Sequence, residues 1–307
     1  MRPSPLLVTA LCASALGCSD YAYNELDFHD EFYQADDAPP ADVLFVIDNS
    51  ASMAEEASRL ADNFEGFVGV LSGTTIDFQL GVTSTDPAAA PALTGPILTQ
   101  DTPAIGDAFL AAVAVGTDGS RDEMGLDRAL QVTAPANSPG FVRDGANLAI
   151  VVFSDEDDHS PDPVGRYLDA LATRGSAAVS VHAIAGDLPD GCAAGASAAD
   201  PAPRYAEAVE MSGGLAWSIC DDDYTAMLTR VAFEISGWSD TFYLSHLPEE
   251  ETLQVWVDGV EMPLREVDGW TWSIGDNAVV FHGRSVPRPG MRVDIRYQIA
   301  EGTVTKG

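Results

Sequence analysis

Asp48-Asn49-Ser50-Ala51-Ser52 places one carboxylate and two hydroxyls at alternate positions directly after an apolar run. On a loop leaving a strand such positions converge on one point, and a donor set made only of oxygen suits a hard cation such as Mg²⁺. A second apolar run ends in the same way, at Ser154-Asp155-Glu156-Asp157-Asp158. If the two runs are neighbouring strands, their acidic ends repel each other unless a cation lies between them. A plainer role is also open to the serines: Ser50 or Ser52 would cap the following helix, with Glu55 and Glu56 favouring its first turn. Capping and ligation are compatible in one loop. Glu156, Asp157 and Asp158 read as solvated loop, the alternative being that one of them reaches the metal through water, and Asp221-Asp222-Asp223 as acids that complement a helix dipole. His29, His159, His182, His246 and His282 are scattered, with no pair at the i, i+4 spacing of a helical zinc site.

These residues need a scaffold that brings two strand ends together. Val43–Ile47 and Leu148–Phe153 are unbroken apolar runs, as expected of strands buried on both faces of a parallel sheet. Residues 50–71 carry Leu60, Phe64, Phe67 and Leu71 at helical spacing, with Glu55, Glu56 and Asp62 on the opposite side. Further strands are expected over 76–83, 178–185 and 215–219, and helices over 105–114, 122–132, 163–173, 203–211 and 222–235. Residues 87–104 read as an irregular excursion. Strands alternating with helices predict a doubly wound, mostly parallel α/β sheet of Rossmann-like type over residues 41–236. After Gly237 the texture changes to short strands, over 241–244, 253–257, 270–274, 278–282 and 291–298, predicting a small all-β, sandwich-like module over 238–301. Trp256, Trp270 and Trp272 fit its core and cross-strand pairs. Residues 18–40 are acidic, carry scattered aromatics without a period, and read as a tether with one docked aromatic segment.

Asp48-x-Ser50-x-Ser52 after an apolar strand resembles the metal-ion-dependent adhesion site of the von Willebrand factor type A domain, and the resemblance covers about residues 41–236. It implies a central, mostly parallel sheet with helices on both faces, and a Mg²⁺ (or Ca²⁺ or Mn²⁺) at its carboxyl edge. The family completes its site with a hydroxyl from a later loop and an Asp ending the fourth strand. Asp155 matches that Asp. The later hydroxyl is usually a Thr five residues before a Gly-apolar pair that opens a helix; here the pair is Gly125-Leu126 and Ser120 stands five before it, with Thr117 as the alternative. The resemblance further implies coordination left incomplete, so that a protein ligand binds by presenting a carboxylate to the metal.

Composition removes many other functions. Asp and Glu number 48 against 15 Lys and Arg, a net charge of -33, which opposes nucleic acid and anionic lipid alike. Lys306 is the sole lysine, so no P-loop or Schiff-base lysine exists, and neither a Gly-x-Gly fingerprint nor a Gly-x-Ser-x-Gly elbow is present. At 46% apolar, the 307 residues suffice for buried cores.

Residues 1–17 read as a secretion signal, because the apolar run from Leu6 to Leu16 is too short for a hydrocarbon core that needs ~20 residues. Ala15-Leu16-Gly17-Cys18 resembles a bacterial lipoprotein signal, although Leu is usual where Ala15 stands and a small residue where Leu16 stands. The resemblance implies that Cys18 is lipidated; ordinary cleavage is the alternative. With Cys12 in the signal, Cys192 and Cys220 remain as an even pair for one disulfide in an oxidising compartment. The expectation is a non-enzymatic protein secreted across the inner membrane and held in the envelope of a diderm bacterium by its lipid alone, Ser19 suiting outer-membrane sorting. A Mg²⁺-dependent hydrolase using Asp48 and Asp155, and a structural envelope protein with a vestigial site, are the rivals.

Overall fold

The two apolar runs lie side by side at the centre of the molecule. The computed structural model describes residues 27–34, 39–73, 76–116, 119–120, 122–194 and 197–299, so the signal, Cys18 and Thr117 lie outside the described residues. The chain passes through β1 (Asp27–Tyr33), β2 (Ala41–Ile47), α1 (Ala54–Gly73), β3 (Phe78–Ser84), β4 (Leu98–Thr99), α2 (Ile105–Val113), α3 (Gly125–Val132) and β5 (Asn147–Phe153). It continues through α4 (Val164–Ala172), β6 (Ala178–Ala185), the hairpin β7 (Cys192–Ala194) and β8 (Ser197–Ala199), α5 (Pro203–Ser212), β9 (Ala216–Ser218) and α6 (Thr225–Ile235). Short strands complete it: β10 (Thr241–Tyr243), β11 (Gln254–Val257), β12 (Val260–Glu261), β13 (Trp270–Ser273), β14 (Ala278–Phe281) and β15 (Arg292–Gln298).

The main sheet runs β4-β3-β2-β5-β6-β9, parallel except where β4 pairs with β3. Every residue of β2 is buried. Because successive side chains point to opposite faces, Val43, Phe45 and Ile47 enter the core beneath α1, α2 and α6, while Leu44 and Val46 enter the core beneath α3, α4 and α5. Phe45 meets Phe64, Phe67 and Phe109 edge-on, at centroid distances of 6.0, 5.5 and 4.9 Å. The strand order reverses at β2, whose neighbours β3 and β5 lie on opposite sides. In doubly wound sheets the crevice outside the carboxyl ends at such a switch is where ligands bind. Both acidic loops begin there.

The sandwich pairs a sheet β1-β15-β11-β12 with a sheet β10-β14-β13 around Val255, Val257, Val293, Ile295, Phe242, Val279 and Phe281. Its strand β1 is a docked aromatic segment within residues 18–40: Asp27–Tyr33 pairs antiparallel with β15 from Asp27↔Gln298 to Tyr33↔Arg292. Phe28 and Phe32 pack on the sandwich core, but Asp30 sits between them on the inward side and breaks the apolar alternation. That carboxylate accepts hydrogen bonds from the Ser245 N–H, the Ser245 hydroxyl and the Tyr297 hydroxyl. The β module is thus built from residues 27–34 as well as from those after Gly237. Phe233 of α6 is buried in its core and stacks on Trp238. Since β2 begins and α6 ends at the amino edge of the main sheet, the sandwich hangs from the edge opposite the acidic loops.

Candidate metal centre

Asp48 follows β2 immediately, and its N–H donates to the carbonyl of Phe153 at 2.9 Å, tying the ends of β2 and β5 together. Its Oδ1 accepts the Ser50 N–H at 2.7 Å, closing the loop on itself, and its Oδ2 accepts the Ser154 hydroxyl at 2.7 Å. The Ser50 and Ser52 hydroxyls are 3.0 Å apart. Asp155 adjoins the group: the Ser52 hydroxyl draws its pKa down and the Asp48 carboxyl draws it up. Asp48 is 1% exposed and Asp155 7%, so two acids adjoin in a nearly water-free place. Burial first, and then the charge of Asp48, push the Asp155 pKa up to about 6 against the lowering pull of Ser52.

Ser120 approaches the same loop through its neighbour. The Gly119 N–H donates to the Asn49 carbonyl at 2.9 Å, and a Cβ on Gly119 would lie 2.2 Å from Asn49 Oδ1, so a side chain there would displace the Asn49 amide. The Ser120 hydroxyl accepts the Asp122 N–H at 3.0 Å. The structure therefore gathers Asp48, Ser50, Ser52 and Asp155, brings the loop of Ser120 alongside, and leaves Thr117 outside the described residues.

Two residues of the centre escape sequence reasoning. Ser154 fixes the Asp48 carboxylate, and Glu123, three residues after Ser120, is fully buried. Thr85 donates its hydroxyl to one Glu123 oxygen. Burial first and the Asp48 charge second push the Glu123 pKa up to about 8. The available signal was its position between a candidate ligand and the glycine that opens α3.

The rest of the acidic loop corrects the expectation of a solvated surface. Asp157 accepts the N–H groups of Arg204 and Tyr205 at the start of α5, at 3.0 and 3.4 Å. Asp158, 1% exposed, accepts the Leu126 N–H at 3.1 Å, the Ser160 hydroxyl at 2.7 Å and the Arg204 Nε–H at 3.1 Å. These acids hold helix amino ends, where exposed N–H groups favour negative charge. Glu56, expected on the polar side of its helix, is buried too, between Arg59 and Ser197. Ser197 belongs to the β7–β8 hairpin, which a disulfide from Cys192 to Cys220 fastens to the loop before α6. The hairpin returns through Asp200, whose N–H donates to the Asp155 carbonyl at 2.9 Å.

The donor set at Asp48 is hard oxygen throughout, and Asn49 Oδ1, Glu123 Oε1 and Asp155 Oδ1 are buried without a hydrogen-bond partner. Buried oxygens in that condition are costly, and a divalent cation satisfies several at once. The residues fit such an ion. Another cluster, His29, Glu31 and Asp294 on β1 and β15, has ligand atoms within 4.8 Å of one another. Arg292 already supplies its cation, with Nε 2.9 Å from Asp294 and a further nitrogen 3.6 Å from Glu31, so it reads as an ion-pair network.

No protein-family model matches the sequence, and no curated protein matches it. Similar solved structures include the pilus adhesin SpaC of Lactobacillus rhamnosus GG in its open conformation, 13% identical with a TM-score of 0.48, matched over 91% of this chain and 42% of the adhesin. A von Willebrand factor type A protein of Catenulispora acidiphila is 12% identical with a TM-score of 0.39, over 91% of this chain and 66% of that one. An aerotolerance-related membrane protein of Bacteroides fragilis is 14% identical with a TM-score of 0.38, over 64% of this chain and 98% of that one. This chain thus spans less than half of the adhesin's length.

Proposed function

We propose that residues 41–236 form a von Willebrand factor A-like domain that binds a divalent cation, Mg²⁺ in the first place, and holds a protein partner through a carboxylate which that partner presents. The observation that carries this reading is the burial of the Asp48 and Asp155 carboxyl groups beside each other, with Asp155 Oδ1, Asn49 Oδ1 and Glu123 Oε1 left without hydrogen-bond partners. Asp48 and Asp155 supply the negative charge, Ser50 and Ser52 the neutral oxygens, and Ser120 or Thr117 a further hydroxyl from the neighbouring loop. Ser154 orients Asp48 from behind. A bound cation supplies positive charge and a coordination position that a partner carboxylate can take in exchange for water.

The reading is one of binding rather than turnover. Among the described residues Arg204 stands beside the acidic loop, and its guanidinium is engaged with Asp158 and with the carbonyls of Ser160 and Asp162 rather than free to clamp a phosphoryl group. We assign the protein to the cell envelope, anchored through a lipid on Cys18, and no helix among the described residues is long and apolar enough to cross a membrane. A pull-down from envelope extract, run with Mg²⁺ and with chelator, tests this. A partner retained only with Mg²⁺, and lost in Asp155→Ala, is expected. Capture that ignores chelation, or turnover of a phosphoester or peptide panel, would contradict it.

A further inference from the structure

Glu123 is a buried acid that the donor set above does not use. It has no exposure to solvent, and only its Thr85-bonded oxygen has a hydrogen-bond partner; Oε1 has none. The charges it faces most closely are those of Asp48, Glu156 and Asp86, all negative. Its backbone is held on both sides, by the His159 N–H donating to the Glu123 carbonyl at 2.6 Å and the Met124 N–H donating to Thr85 at 3.1 Å. The side chain therefore stays beside Asp48. Carboxylates accumulate inside a protein in this way only where a positive ligand or a proton offsets them.

Glu123 does not stand in the innermost layer. Among the described residues only His29, Glu31 and Asp294 bring three such ligand atoms within 4.8 Å of one another, so Glu123, Asp48 and Asp155 do not converge that tightly. Mg²⁺ dehydrates reluctantly and keeps several waters, whose hydrogens need acceptors fixed in the second layer. Resting on the reading of this site as a metal centre, we propose that Glu123 is the outer-sphere carboxylate of the centre, accepting hydrogen bonds from the hydration shell of the cation through its unpartnered Oε1. It is a positioning residue, and it biases the site toward a small, strongly hydrated ion.

Isothermal titration of the full chain with Mg²⁺ and with Ca²⁺ tests this, together with melting curves in chelator. Glu123→Gln, which keeps an acceptor but loses the charge, should weaken Mg²⁺ binding about 10-fold. Glu123→Met, which keeps the volume and loses the acceptor, should weaken it by up to about 100-fold. Both should lose less for Ca²⁺, and Glu123→Gln, which keeps an acceptor for Thr85, should not melt lower than wild type without metal. Wild-type Mg²⁺ affinity in both variants, alongside loss of binding in Asp155→Asn, would overturn the role of Glu123 and leave the metal centre standing. A lower metal-free melting temperature with unchanged affinity would make Glu123 a strut and overturn the inference as well. Absence of divalent binding in the wild type would remove the metal reading itself.

Discussion

Asp155, Glu123 and His182 make the molecule's stability depend on pH in opposite senses. The Asp155 and Glu123 pKa values are raised in the fold, to about 6 and about 8, so their contribution to stability is complete below about pH 4 and is lost as pH rises through those values. His182, buried and accepting the Leu215 N–H at 3.1 Å, is lowered by burial to about 4. Its contribution is present above its ordinary value of about 6.5 and is lost as pH falls toward 4. Between pH 6.5 and 8.5, where His182 stays neutral, the melting temperature in chelator should therefore fall as pH rises, and Glu123→Gln should flatten that fall. Mg²⁺ and protons compete for the same oxygens, so saturating Mg²⁺ should raise the melting temperature more at pH 8 than at pH 5.5. Equal shifts at both pH values would contradict this. Asp48→Ala and Asp155→Ala should abolish the Mg²⁺-dependent rise without collapsing the fold, because removing either also relieves repulsion. Gly119→Ala should weaken Mg²⁺ binding, since its Cβ would displace the Asn49 side chain beside Asp48.

At the scale of elements, the β7–β8 hairpin and β1 are the additions to a plain doubly wound sheet. Cys192 and Cys220 close a loop of 28 residues, so replacing both by Ser should lower stability by roughly 3–4 kcal/mol in the chain-entropy account, read by denaturant titration. Phe32, packed 5.3 Å from Phe242, joins β1 to the sandwich core, and Phe32→Ala should cost about 1–3 kcal/mol while leaving the Mg²⁺ response at the far edge unchanged. The parallel strands were legible in the sequence because strands buried on both faces leave unbroken apolar runs, as at Val43–Ile47. β1 was not, because Asp30 points inward and the residues that receive it, Ser245 and Tyr297, lie more than two hundred positions away. Glu56 and Asp158 escaped for the same reason: hydropathy places acids outside, and nothing local announces Ser197 or Arg204 as partners. The loops carrying Asp48 and Asp155 could be read because each follows a strand whose apolar run ends abruptly in acid. Glu123 carries no such mark, since its burial is decided by where Thr85 and Asp48 lie in space.

In the whole molecule the acidic loops and the sandwich occupy opposite edges of one sheet. β1 enters the sandwich only nine positions after Cys18, so on the proposed reading the sandwich faces the membrane and the cation site faces outward. A net charge of -33 leaves the polypeptide no attraction of its own for anionic lipid. Cys18→Ser should therefore release folded protein from membranes in cell fractionation, and a variant that still pellets in high salt would refute the lipid anchor. The central claim is that the buried oxygens around Asp48 and Asp155 hold a divalent cation. Its most direct test is a crystal structure of the chain soaked in Mn²⁺, read by anomalous scattering at the manganese edge. The account predicts one dominant peak bounded by Asp48, Ser50, Ser52 and Asp155, with Glu123 one water layer away. No peak there, or a dominant peak at His29, Glu31 and Asp294 instead, would contradict it.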